Sequence, residues 1–97
     1  MQKGYWIAQM DVTDPAAYEK YRAANGKAFA EFGGRFLVRG GAQTPKEGQS
    51  RARTVVIEFP SYAEAIACYE SESYAEAMKL RVGASDGDLV IVEGYAG

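Results

Sequence analysis

The sequence contains no histidine. That absence removes imidazole acid–base catalysis, histidine-activated serine or cysteine nucleophiles, histidine-ligated haem and nearly all zinc sites. The one cysteine, Cys68, leaves no partner for an intrachain disulfide and points to the cytoplasm. No apolar run approaches the ~18 residues that a membrane-spanning helix needs. The opening stretch Met1-Gln2-Lys3-Gly4 leads into Tyr5-Trp6-Ile7-Ala8-Gln9-Met10, which is too short and too polar for a signal peptide and reads better as a strand. Basic charge is not in excess either: 11 lysines and arginines face 13 acidic residues, for a net charge of −2. Arg35, Arg39, Lys46, Arg51 and Arg53 make the middle of the chain locally basic, but as a solvated hairpin, and nucleic acid is not expected as a partner. No loop has the regular acidic spacing of a calcium site. Gly33-Gly34 and Gly40-Gly41 flank a strand instead of leading from a strand into a helix, so neither is a phosphate-binding motif. A chain without metal or cofactor is expected.

What is present is the composition of one ordinary globular domain spanning residues 1–97, 47% hydrophobic and 25% charged. A chain of 97 residues buries only a modest share of its surface, so pairing with a second copy would stabilise it. Gly4 to Val12 alternates as a strand. Asp14-Pro15 then starts a helix, with a side-chain oxygen for its orphan amides and proline where no N–H is needed. Tyr18, Tyr21, Asn25, Ala28 or Phe29, and Phe32 follow on one helix face, and Gly33-Gly34 ends it. Arg35 to Arg39 is the second strand, Gly40 to Ala52 a long hairpin connection, and Thr54 to Phe59 the third strand. Ser61-x-x-Glu64 is a capping box for a second helix with Tyr62, Ala65, Ile66 and Tyr69 inward. Ser73-x-x-Glu76 is another, predicting a break near Ser71 and a short third helix from Tyr74 to about Val82. Gly83 to Gly87 reads as a loop and Leu89 to Glu93 as the last strand. The order β-α-β-β-α-β, with its second helix split, predicts an α+β ferredoxin-like fold: a four-stranded antiparallel sheet with helices on one face.

Alternation sorts the strand residues by face. Trp6, Ala8, Met10, Val12, Phe36, Val38, Val55, Ile57, Phe59, Val90 and Val92 are all apolar and are assigned to the side under the helices. The bare side is then Tyr5, Ile7, Gln9, Asp11, Arg35, Leu37, Arg39, Thr54, Val56, Glu58, Leu89, Ile91 and Glu93, charged at its ends and aliphatic in its middle. A contiguous apolar patch of that kind meets a partner, and with helices on the other side the economical partner is the same face of a second subunit. Removing even ~400 Å² per subunit from water, at roughly 25 cal/mol per Å², is a large term against marginal stability. A homodimer through the open sheet face is expected.

Several separated motifs together resemble domain-of-unknown-function family 1330 (DUF1330). They are Gly4-Tyr5-Trp6-Ile7-Ala8, Asp11-Val12-Thr13-Asp14-Pro15 with Tyr18, and Gly34-Arg35-Phe36-Leu37-Val38-Arg39-Gly40-Gly41. Val56-Ile57-Glu58-Phe59-Pro60-Ser61, Ser71-Glu72-Ser73-Tyr74 with Arg81 and Asp88, and the closing Val90-Ile91-Val92-Glu93-Gly94 complete a likeness over essentially the whole chain. The resemblance departs at Tyr69, where a tryptophan is usual, and that swap reshapes any cavity there. It implies a dimeric α/β barrel built from two ferredoxin-like subunits joined sheet to sheet. The wider superfamily implies a choice among cofactor-independent monooxygenases, isomerases, haem proteins and effector-binding domains; the family itself implies no activity.

The candidate site residues each carry a functional and a structural reading. Arg39, beside Gly40-Gly41, could clamp a carboxylate, pair with Asp11, or face solvent. Arg81 falls on the helical line of Tyr74 and Met78, so its head either reaches water or meets a ligand or an internal carboxylate, with Asp88 the natural partner. Tyr69 and Tyr74 pack, or offer hydroxyls as acid or orienting donor. Asn25 is a polar anomaly on an apolar stripe that satisfies backbone groups or lines a cavity. Asp11 would need a raised pKa to act as a base, and an ion-pair or capping role is the simpler one. Arg35 and Glu58 read as a cross-strand pair, and Cys68 as off the inner helix stripe and inert. The expectation is a homodimer with a small aromatic-lined cavity between sheet and helices that takes a small organic acid. Its alternatives are a cofactor-free enzyme, monooxygenase- or isomerase-like, and a purely structural dimer.

Overall fold

The computed structural model describes residues 2–96. The elements are β1 (Gly4–Val12), α1 (Pro15–Glu31), β2 (Arg35–Arg39), β3 (Arg53–Phe59), α2 (Tyr62–Tyr69), α3 (Glu72–Arg81) and β4 (Ser85–Glu93). The strands form one open antiparallel sheet in the order β2-β3-β1-β4. That is the ferredoxin-like arrangement, with the last helix in two pieces.

Local chemistry sets the helix ends. Asp14 Oδ1 accepts the Ala17 amide at 3.2 Å and Pro15 occupies the first turn of α1. At the other end Gly33 takes φ 74°, so the Gly34 and Gly33 amides reach back to the Phe29 and Ala30 carbonyls (2.8 and 3.2 Å). The capping serine of α2 is Ser61, as its motif predicts. For α3 the cap is Ser71, whose Oγ accepts from Tyr74, so the helix begins at Glu72, earlier than the Ser73 motif predicts. Ser73 instead donates to Glu31 at 2.7 Å and ties α3 to the end of α1.

The core lies between the sheet and the helices around Trp6, which is 2% exposed. Its indole meets Phe29 and Tyr74 edge-on at 5.1 and 4.9 Å, and its N–H donates to the Ala65 carbonyl at 2.8 Å. α2 turns its small residues inward: Ala65 and Cys68 are wholly buried, while Tyr62 and Tyr69 are partly exposed. Cys68 therefore sits on the inner stripe, contrary to the helical reading, because a helix this close to Trp6 and α1 leaves room only for small side chains. Its thiol donates to the Ala28 carbonyl at 3.6 Å.

Two strands face differently from the assignment made by alternation. β4 starts at Ser85, and its register sets Ile91 opposite Trp6, and Leu89 opposite Ala8. Leu89 and Ile91 thus face the helices, and Val90 and Val92 the bare side, the reverse of the assignment from sequence. Four aliphatics in a row carry no polar residue to mark the phase; only pairing with β1 sets it. In β2 the register shifts between Phe36 and Val38, with Val38 opposite Val56 and Arg39 opposite Val55. This bulge at Leu37 moves Val38 to the bare side and brings Arg39 under the helices.

The bare face keeps its oily middle with altered membership. Val38, Val56, Ile7 and Val90 lie side by side across all four strands. Val90 is 55% exposed and Ile7 38%. On one side of this row Glu58 accepts from Tyr5 and Arg35, both at 3.0 Å, so Arg35 and Glu58 are the cross-strand pair expected. On the other side the 40–52 connection folds back over the sheet end. Gln43 accepts from Thr54, and Arg51 bridges Asp11 and Asp88 at 3.0 Å each.

Candidate functional site

The register shift that sets Arg39 on the helix side of the sheet also places its exposed side chain at the edge of a small hollow. It lies between α1 and the sheet and is lined by Tyr18, Tyr21, Arg22, Asn25 and Phe29 from α1, with Trp6, Phe36, Arg39, Arg53, Val55, Ile57 and Leu89 among the sheet residues. Its water-accessible space is about 20 Å³, room for about one water.

Three guanidinium groups line this hollow. Arg39 lies over the Phe36 ring at 4.0 Å and donates from Nη2 to the Arg22 carbonyl at 3.2 Å. Arg53 stands over Tyr18 at 5.7 Å. Arg22 pairs with Glu19 at 2.9 Å through Nη1. Among the described residues Arg39 and Arg53 have no carboxylate within ion-pair distance. The Nε atoms of Arg22 and Arg53 are buried and unpaired. So is Oδ1 of Asn25, a residue only 4% exposed. A buried polar atom without a partner typically costs about 1–3 kcal/mol, and the hollow beside these three has room for a water to meet them.

Gly40 makes this packing possible. Its φ is 72°, and the Arg53 guanidinium occupies the space a Cβ would need. The glycine beside Arg39 therefore serves to admit Arg53 rather than to clear a path for a carboxylate.

Behind the hollow lies a buried polar pair. The hydroxyls of Tyr21 and Tyr74 meet at 2.8 Å, and Arg81, whose Nε is buried and unpaired, lies 5.6 Å from the Tyr21 ring. Burial, then the neighbouring Tyr74, push the Tyr21 hydroxyl far above its ordinary range. Burial also raises Tyr74, against the pull of Tyr21 and Arg81. Both phenols are therefore neutral donors at physiological pH.

Of the residues singled out from sequence, the structure brings Arg39 and Asn25 together at the hollow. Arg81, Tyr69 and Tyr74 lie beyond Tyr21. Arg81 and Tyr69 line a separate open groove against Gly87 and Leu89 to Ile91 of β4, and Tyr69 donates to Met78 Sδ at 3.8 Å. Asp11 is on the bare face with Arg51, so it partners neither Arg39 nor the hollow. Asp88 is taken by Arg51 as well and leaves Arg81 to the tyrosines. Arg22 and Arg53 went unselected, although both were legible. Arg53 shares the strand phase of Val55 and Ile57, and Arg22 lies one turn from Tyr18 and Asn25. In sequence Arg53 reads as part of a solvated hairpin, and Arg22 is not singled out. Among the described residues no group of acidic, cysteine or histidine side chains could hold a metal, and no helix is long and apolar enough to cross a membrane.

The fold and its arginine-lined hollow define a ferredoxin-like α+β protein, and comparison with solved structures agrees. A protein of unknown function from Rhodopseudomonas palustris superposes with a TM-score of 0.77 at 19% identity, over 99% of this chain and 85% of that one. Its methylated form gives 0.73 at 19% identity, over 97% and 82%. SnoaB, a cofactor-independent oxygenase from Streptomyces nogalater, gives 0.65 at 12% identity, over 100% and 97%. The chain belongs to the domain of unknown function family DUF1330, whose model matches residues 3–95. No curated protein matches it.

Proposed function

We propose that the protein is a cytoplasmic homodimer, a dimeric α/β barrel joined through the bare sheet faces, and that each subunit binds a small organic anion in the hollow between α1 and the sheet. The observation that carries the binding reading is the pair Arg39 and Arg53, whose guanidinium groups line an aromatic cavity without a carboxylate to neutralise either. Guanidinium forks suit carboxylates in geometry and charge, and a partly desolvated site strengthens the pairing. The purely structural alternative requires each arginine to have an internal partner, and the orphaned Nε of Arg53 counts against it. Support for the dimer comes from the aliphatic row Val38, Val56, Ile7 and Val90, which the subunit's own helices leave uncovered. A free, buried Cys68 suits a reducing compartment.

The test is a thermal-shift screen against small aromatic and aliphatic carboxylates, repeated with Arg39→Met and Arg53→Met. Ligand at about a hundred times its Kd adds about 2.7 kcal/mol to stability, a rise of several degrees in Tm for a domain of this size. Either substitution reduces that rise. A wild type that no acid stabilises removes the binding reading.

A second reading is favoured by the likeness to a cofactor-independent oxygenase and by the Tyr21–Tyr74 pair, whose Tyr21 lines the hollow. In it the bound acid is also transformed, by isomerisation or by an oxygenation in which the substrate itself supplies electrons to oxygen. The neutral tyrosines would then orient the substrate or donate a proton.

A further inference from the structure

The open groove against β4 holds about 540 Å³ of water-accessible space, within the size range of small-molecule sites. Its walls are Tyr69 of α2, Arg81 of α3 and, along the edge of the sheet, Gly87, Leu89, Val90 and Ile91. Gly87 to Ile91 is four steps of extended strand, about 14 Å at ~3.4 Å per residue, so the apolar wall is long and straight. Among the described residues Arg81 alone brings charge to this groove. Its guanidinium has no carboxylate within ion-pair distance among those residues, and its Nε is buried without a partner. Asp88, its natural partner by sequence, is held by Arg51 instead. Tyr21 and Tyr74 lie behind Arg81 as neutral phenols and do not balance its charge. The Tyr69 hydroxyl donates only to Met78 Sδ, at 3.8 Å, a weak acceptor that a carboxylate oxygen would displace.

We infer that this groove binds a linear aliphatic monocarboxylate, its head on Arg81 and its chain laid along Leu89, Val90 and Ile91. A guanidinium fork matches the carboxylate in charge and shape, and the aliphatic strand edge takes the chain out of water. A second anionic group on the ligand would lie against that edge with no cation to meet it. The groove is a site apart from the hollow and uses neither Arg39 nor Arg53.

The experiment is calorimetric titration of the full chain with acetate, butyrate, hexanoate and octanoate, with hexanamide as the uncharged match. Affinity is expected to rise about two- to fourfold per added methylene. Hexanoate is expected to bind about tenfold or more tightly than hexanamide. Arg81→Met is expected to remove that preference for the acid, and Arg39→Met and Arg53→Met to leave it. If Arg81→Met does not fold, Tyr69→Glu decides. It keeps the arginine, sets a carboxylate in the same groove, and is expected to weaken hexanoate binding about tenfold. Equal affinity for acetate and octanoate overturns the inference, as does a preference for the acid that survives both groove variants. Hexanoate binding that is lost with Arg39→Met or Arg53→Met but kept with Arg81→Met assigns the acid to the hollow and overturns the groove alone. A chain that binds neither hexanoate nor octanoate also overturns the groove, while aromatic acids held through Arg39 and Arg53 would leave the hollow reading standing.

Discussion

The hydroxyl of Tyr21 on α1 lies 2.8 Å from the hydroxyl of Tyr74 on α3, both inside the core. Each phenol is the other's main partner, so the pair couples two helices through residues 53 apart in sequence.

Removing one hydroxyl leaves the other buried and poorly satisfied. Tyr74→Phe is expected to lower the unfolding free energy by about 1–3 kcal/mol, and the Tyr21→Phe, Tyr74→Phe double variant to lose less than the two single changes added together. Urea denaturation of the four proteins measures the coupling. Strict additivity would show that the hydroxyls do not depend on each other.

Alkali should unfold the protein through its buried acids. Burial, helped by the nearby Glu31 and Glu64 carboxylates, lifts the Cys68 thiol from 9.0 to about 12. Tyr21 and Tyr74 are raised from 10.0 in the same sense. The folded chain thus keeps protons that the unfolded chain releases. This stabilisation is complete below the unfolded-state pKa values and is lost as pH climbs through the window from 9.0 toward 12. The urea midpoint is expected to hold at neutral pH and to decline across that window. Cys68→Ala is expected to delay the onset of the decline to the tyrosine range. A wild-type midpoint that stays flat across the window would refute it.

The proposed dimer depends on the aliphatic row of the bare face. Ile7→Glu places a charge at its centre, between Val56 and Val90, and is expected to halve the mass seen in solution scattering. Val82→Glu, at a position 73% exposed at the end of α3, is the matched change that should leave the mass alone. A wild type that scatters as a monomer, or an Ile7→Glu variant that stays dimeric, would remove this interface.

Gly40 and Gly41 are neighbours with different duties. Gly40→Ala meets both a φ of 72° and the Arg53 guanidinium, and is expected to cost about 1 kcal/mol or more and to weaken the proposed carboxylate binding by displacing Arg53. Gly41→Ala points into open space and should change stability by no more than about 0.5 kcal/mol. Denaturation and titration of the pair check both statements; equal effects would mean that Gly40 has no special role.

The order of elements, the capped start of α1 and the oily centre of the bare face follow from sequence alone. Caps, glycine stops and apolar spacing act within a few residues, so local chemistry is enough to specify them. The tyrosine stripe of α1 and the Arg35–Glu58 pair were legible for the same reason. What needed the tertiary structure was phase and partnership. Leu89-Val90-Ile91-Val92 alternates equally well either way, and pairing with β1 alone decides which members face the helices. Leu37 carries no mark of a bulge, yet the shift there sets Arg39 on the helix side beside Arg53 and Arg22. Arg51 takes both Asp11 and Asp88, which the sequence offers as possible partners of Arg39 and Arg81. Charge and apolarity are properties of a residue, but which face it occupies and which group it meets depend on the strands and loops that cover it.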